Sequence, residues 1–211
     1  MVQKGQFLER STLIPVGKEV MEGTAHRGAK RPPLLILPPR PEEGGGMDHV
    51  IAAELAWAAA TAGFPTLRFN YRGVGGSQGS VGAGEALVQD AEAAMRVLLE
   101  NAQSAHLAVA SLHGGAQVAL ELLARHPAVG GVCLVAPVDV PPAALAKLDR
   151  SLLVVVGDED KRLPRASLTA AVGKSSRGEI EVIDDAGANF QRNLPQVGKA
   201  LSGWLKRLSG E

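Results

Sequence analysis

The chain has 211 residues, 45% of them hydrophobic and 21% charged. That is the length of one ordinary domain, and the composition excludes a disordered chain and a collagen-like repeat. Twenty-two basic residues balance 22 acidic ones, so net charge gives no reason to expect nucleic acid or an anionic membrane as a partner.

The start, Met1 to Gly17, contains Lys4, Glu9 and Arg10 and lacks the sustained apolar stretch of a signal peptide. Phe7 to Pro15 and Glu19 to His26 read as an antiparallel hairpin over about residues 7–26, with Val16-Gly17 near its turn. Apolar runs then recur at Leu34 to Leu37, Thr66 to Tyr71, Leu107 to Leu112, Gly131 to Ala136, Leu152 to Val156 and Ile180 to Ile183. Most are continuous rather than alternating, which predicts strands covered on both faces.

Between these runs the apolar spacing turns helical. Leu87, Ala91, Ala94 and Leu98 form one face, and Val197, Leu201, Leu205 and Leu208 another, with Pro195 in that helix's first turn. Ala116 to Arg125 reads as a helix helped by Glu121 facing Arg125 and stopped by Pro127. The Ala-rich segment Ile51 to Phe64 carries Glu54 and is too short and polar to span a bilayer. This alternation predicts an α/β domain over residues 1–211, mostly parallel in its sheet, in a cytoplasmic protein.

Cys133 is the single cysteine, which excludes an internal disulfide and a multi-cysteine metal site; its apolar run marks it as a core residue. Aromatics at 3% argue against base-stacking platforms. Ligands of doubly wound sheets bind beyond the carboxyl ends of strands. The loops to inspect are therefore Pro38 to Gly46, a rigid-then-flexible segment, and the flexible Gly73 to Gly84.

A literal G-x-S-x-G occurs at Gly75-Gly76-Ser77-Gln78-Gly79. Its chemistry requires a strand running straight into the serine and a helix leaving at once. Ser77 instead lies several residues past a strand, inside a glycine-rich loop. The required context belongs to Leu107-Ala108-Val109-Ala110-Ser111-Leu112-His113-Gly114-Gly115-Ala116-Gln117, where a strand meets a Gly-Gly turn and a helix.

Here the chain resembles the α/β-hydrolase superfamily, in particular its small bacterial members without a cap domain. Pro38-Pro39-Arg40-Pro41 with Gly44-Gly45-Gly46-Met47-Asp48 resembles the family's His-Pro-His-Pro and Gly-Gly-x-Met-Asp loop after the third strand. Leu67 to Ser77 resembles the next strand and its Arg-Gly-x-Gly-x-Ser turn, and Gly157-Asp158-Glu159-Asp160 with Pro164 the acid loop after the seventh strand. The resemblance implies that Ser77 is structural, that His113 stands at the nucleophile's position, Ser111 at the first motif glycine, Asp160 at the acid and Asn189 at the general base. It places Pro39, Arg40 and Gly114 around a former pocket or oxyanion loop.

The five histidines are His26, His49, His106, His113 and His126, so none can follow Asp160 as an ordered Ser…Asp…His triad requires. Asparagine takes up no proton near neutral pH and cannot be a general base. Asp160 can alternatively cap a helix near Leu163 to Val172. Arg40 and Arg72 read as anion ligands or surface salt bridges, and Gly44-Gly45-Gly46 as backbone N–H groups available to an anion. Gly173-Lys174-Ser175 lacks the upstream glycine of a phosphate loop, Leu168 standing there.

The expectation is a cap-less α/β-hydrolase fold acting as a non-catalytic binding or protein-interaction module, with no cofactor and no metal. Its partner is a protein or a small ligand in the former pocket. The alternative is an ester or acyl hydrolase using His113 with Asp160, and a weaker one takes Ser77 as a displaced nucleophile.

Overall fold

A computed structural model describes residues 8–210. Strands β1 (Arg10–Val16) and β2 (Glu19–His26) form the expected antiparallel hairpin; Phe7, at its predicted start, lies outside the described residues. Gly17 turns the chain at φ 61°, a left-handed conformation that costs glycine no steric clash.

The predicted apolar runs pair as β3 (Leu34–Leu37), β4 (Thr66–Phe69), β5 (Leu107–Leu112), β6 (Val129–Val135), β7 (Ser151–Gly157) and β8 (Gly178–Ile183). Their order is β1-β2-β4-β3-β5-β6-β7-β8, antiparallel at the β1–β2–β4 end and parallel from β4 through β8. Strand β4 ends two residues before Tyr71, where Asn70 N–H turns to the Glu22 carbonyl.

Helices α1 (Val50–Thr61) and α6 (Leu194–Ser209) cover one face; α2 (Glu85–Ala102), α3 (Gly115–Arg125), the single turn α4 (Pro142–Leu145) and α5 (Arg165–Val172) cover the other. The Ala-rich segment is α1, and its small side chains let it lie close against both the sheet and α6. The period of two along β5 sends Leu107 and Val109 toward α2 and α3, and Ala108, Ala110 and Leu112 toward α1 and α6. Cys133 is fully buried in the α1/α6 layer, as its apolar run predicts. Among the described residues no helix is long and apolar enough to cross a membrane.

Candidate functional site

Strand β5 delivers its end into a sharp turn of His113 and Gly114, and α3 leaves at once from Gly115. His113 adopts φ 47°, a left-handed backbone that costs energy for a residue with a Cβ. The surroundings hold it there: its N–H donates to the Val135 carbonyl (3.0 Å), and its carbonyl accepts from Ala116 (3.2 Å) and Val138 (3.3 Å). A Cβ on Gly115 would meet the Pro38 carbonyl oxygen at 2.5 Å, and one on Gly114 would meet Glu43 Oε1 at 2.6 Å. The two glycines thus let the loop after β3 lie directly on the turn.

The His113 side chain is only 7% exposed. Its Nδ1 lies 3.4 Å from the Ala136 carbonyl and 3.5 Å from Arg162 Nη2, while the ring meets His49 edge-on, 5.5 Å between centroids. A proton on Nδ1 serves Ala136 and a lone pair there serves Arg162, so one tautomer cannot satisfy both. Asn189, at the position marked as the base, lies near enough to the ring to act weakly on its pKa. Burial first, and the Arg162 cation second, push the His113 pKa below its ordinary value, leaving a neutral imidazole near neutral pH.

Asp160 faces a different partner. Its Oδ1 accepts from Arg162 N–H (3.1 Å) and Nε (3.0 Å), and its Oδ2 from Nη2 (2.8 Å). Burial alone would raise its pKa, but the hydrogen bonds from Arg162 hold it below the usual carboxylate range. Among the described residues no direct hydrogen bond joins Asp160 to His113; Arg162 Nη2 stands between them, 2.8 Å from Asp160 Oδ2 and 3.5 Å from His113 Nδ1. Nor does Asp160 cap α5, whose N-cap is Pro164. Arg162→Ala should leave a buried carboxylate short of donors and lower unfolding free energy by about 1–2 kcal/mol, trimmed by the half-exposure of Arg162. Urea denaturation at pH 7 measures it.

The loop after β3 supplies the remaining groups. Pro39 has no N–H, so the amide aimed at the turn is that of Arg40, followed by a short 3-10 turn, Pro41–Glu43. Arg40 N–H (2.9 Å) and Gly114 N–H (3.2 Å) both donate to one oxygen, Glu43 Oε2. Arg40 Nη2 reaches Glu43 Oε1 (3.3 Å) and Asp139 Oδ2 (2.7 Å), and its Nε lies 3.3 Å from Glu42. Burial would lower the Arg40 pKa, but Asp139 and Glu43 raise it above the ordinary value. The glycines after this turn offer less to an anion than the sequence suggests, because Gly44 N–H and Gly45 N–H donate to the Pro41 and Arg40 carbonyls.

Other candidates resolve into scaffold contacts. Ser77 Oγ donates to the Asn70 carbonyl (2.8 Å) and accepts from Glu22 N–H (3.0 Å), tying the glycine-rich turn to β2. Arg72 is bound to buried Asp90, Nε to Oδ1 2.6 Å. Ser175 Oγ donates to the Leu148 carbonyl (2.9 Å). Ser111 Oγ and the Tyr71 hydroxyl are buried without a hydrogen-bond partner among the described residues, and burial pushes the Tyr71 pKa up. No group of three or more metal-ligating side chains occurs among the described residues.

A cleft of about 670 Å³ adjoins the turn between α2, α3 and α4. Leu87, Val88, Val118 and Val140 give it an apolar wall, and Arg40 and Asp139 line it too, whereas His113 does not. Glu43, Arg162 and His49 are the residues that sequence reasoning missed. The charged sequence Arg40-Pro41-Glu42-Glu43 and the Asp160-x-Arg162 spacing carry a signal for local ion pairs, but neither says that an ion pair faces the turn at His113.

Three histidines, His26, His49 and His113, have pKa values lowered first by burial. The unfolded chain therefore takes up protons at its ordinary imidazole value of about 6.5 before the native chain does, so stability rises with pH through that interval. Unfolding free energy should fall between pH 7.5 and pH 5.5, and His113→Asn should remove part of the drop. Urea melts of both proteins at the two pH values give the comparison.

Residues 43–185 match the serine aminopeptidase family S33. A protein of unknown function from Agrobacterium tumefaciens, described as a candidate α/β hydrolase, is 28% identical over 97% of this chain and 98% of its own, with TM-score 0.79. A Coxiella burnetii α/β serine hydrolase homologue is 29% identical over 92% of this chain and 96% of its own, also at TM-score 0.79. An uncharacterised Rickettsia prowazekii protein is 27% identical over 189 residues, covering 82% of this chain and 78% of its own. The sheet order, the strand–turn–helix at His113 and the match over most of the chain converge: the protein has the α/β-hydrolase fold and belongs to the serine aminopeptidase S33 family.

Proposed function

We propose that this member of a hydrolase family is a non-catalytic binding or protein-interaction module, with a degenerate triad at His113, Asp160 and Asn189. One observation carries the reading: the N–H groups of Arg40 and Gly114 converge on Glu43 Oε2. In an α/β hydrolase an oxyanion is held by the amide after the nucleophile and one from the loop after β3. Here a carboxylate already holds both amides, and a substrate carbonyl has to displace it. Arg162 on Asp160 and an asparagine at the base position support the same reading, since the carboxylate is already held and an amide takes up no proton.

The second reading is an ester or acyl hydrolase using His113 with Asp160, and the comparisons support it better than they support the first. The family is hydrolytic by name, and the Coxiella burnetii protein is described as an α/β serine hydrolase homologue. It requires Glu43 to leave the two amides and Arg162 to release Asp160.

Hydrolysis of short- and medium-chain activated esters by wild type, His113→Ala and Ser77→Ala separates the two. The expected result is the same background rate in all three. Turnover lost only in His113→Ala overturns the proposal in favour of the second reading, and turnover lost only in Ser77→Ala makes Ser77 the nucleophile.

A further inference from the structure

The opposite end of the sheet, where the parallel strands begin, holds a second cavity of about 410 Å³. It lies between the start of β1, the loop after β2, the start of β4 and the last turn of α2. Arg10, Arg27 and Arg31 line it, and among the described residues no carboxylate does. That is a concentration of one sign in a chain whose 22 positive and 22 negative residues cancel.

Among the described residues none of the three arginines has a carboxylate partner. Arg31 donates to the carbonyls of Lys30 (2.9 Å) and Ala102, so neutral groups hold its guanidinium in place and leave its charge intact. Among the described residues Arg10 and Arg27 make no ion pair, whereas Arg40, Arg72, Arg125 and Arg162 each do. The carboxylate next to Arg10 in sequence, Glu9, is bound to Arg68 at 2.7 Å and lies 3.9 Å from Nε2 of His26 on the cavity wall.

The loop that carries two of the arginines is clamped. Gly28 lies so close to residues 63–65 that a Cβ would overlap the Gly63 carbonyl oxygen and the Pro65 nitrogen. Lys30 N–H donates to the Gly63 carbonyl (3.0 Å) and Leu34 N–H to that of Pro65 (2.8 Å). Cations on a fixed backbone lose less freedom when an anion arrives than cations on a mobile one. Ser11, Thr12 and Asn101 also line the cavity, although the Thr12 hydroxyl already donates to the Arg10 carbonyl (3.3 Å).

We propose that this cavity binds a phosphate group, as inorganic phosphate or a small phosphomonoester. Guanidinium forks match phosphate oxygens, and a dianion answers a cluster of three cations better than a single carboxylate does. The volume takes one phosphate with a small organic body. The site is concave and at the far end of the strands from His113, so it is independent of the reading of that turn.

The test titrates inorganic phosphate and glycerol 3-phosphate into the full chain at low ionic strength, following the His26 ring and the Ser11 and Thr12 amides by NMR. Arg10→Glu with Arg27→Glu removes two cations and leaves Arg31, which anchors the end of α2. Arg177→Glu with Arg192→Glu, two exposed charges elsewhere, controls for net charge. Saturable shifts at these three residues are expected, with affinity weakened about tenfold or more in the double variant and nearly unchanged in the control. The proposal is overturned by no shift there at about 10 mM ligand, in the affinity range of a weak millimolar site. An unaltered affinity in the double variant also overturns it, as does binding confined to a long polyanion such as heparin. Stronger binding of glycerol 3-phosphate than of phosphate supports the ester form; equal binding supports the free ion.

Discussion

His113→Ser, Asn189→His and Arg162→Ala together should fold yet turn over activated esters slowly, and adding Glu43→Ala should raise the rate by about 10²–10³-fold. The first three changes rebuild a serine, place a histidine against it and free Asp160 from the guanidinium that now wraps it. They leave Glu43 Oε2 on the amides of Arg40 and Gly114. A tetrahedral oxyanion then has no donors at the moment it forms, and loss of even one such donor costs an enzyme roughly 10²–10³ in kcat. The quadruple variant removes that carboxylate while keeping both amides, which belong to the backbone. Steady-state rates of the triple and quadruple variants, with circular dichroism to confirm folding, decide it. Equal rates sink the idea that Glu43 closes the site.

Trp204→Ala should cost about 3–5 kcal/mol, the range for emptying a large aromatic from a core. Trp204 is 1% exposed on the inner face of α6, and its Nε1 donates to Ser151 Oγ at 2.8 Å, joining that helix to β7. Beneath the ring a Cβ on Gly131 would meet Trp204 Cζ2 at 2.9 Å. Only a glycine gives the indole that approach, so neighbouring side chains cannot readily collapse into the space it vacates. Whole-chain stabilities of about 5–15 kcal/mol make this a large share. Trp204→Phe keeps most of the volume and orphans Ser151, so it should lose clearly less. Urea melts rank the pair, and equal losses would move the contribution from packing to the hydrogen bond.

The sheet was legible because most apolar runs are continuous and flanked by turn residues, as at Leu34 to Leu37 and Leu152 to Val156. The turn at His113 was legible too, since a strand, two glycines and a helix in succession leave few other conformations. Strand ends were less so: Tyr71 is as apolar as its strand, and only the Asn70 hydrogen bond to β2 shows where the chain turns. The partners of Asp160 and of the Gly114 amide were not legible at all. Glu43 lies 71 residues from Gly114, and no periodicity encodes which of several nearby carboxylates will reach a given amide. The resemblance implies an acid at Asp160 but does not say that Arg162, two residues on, takes its carboxylate.

The Glu43 contact also sets a threshold for anything from outside. Because Glu43 is tied to Arg40 by three residues of chain, it is a competitor that dilution cannot remove, present at an effective concentration of order millimolar or above. Free carboxylates in a cell that bind the same two amides no better than Glu43 does are therefore outcompeted by the protein's own backbone-tethered copy. Vacating the amides takes neutralisation of that one side chain or displacement of the Pro41–Glu43 turn as a unit.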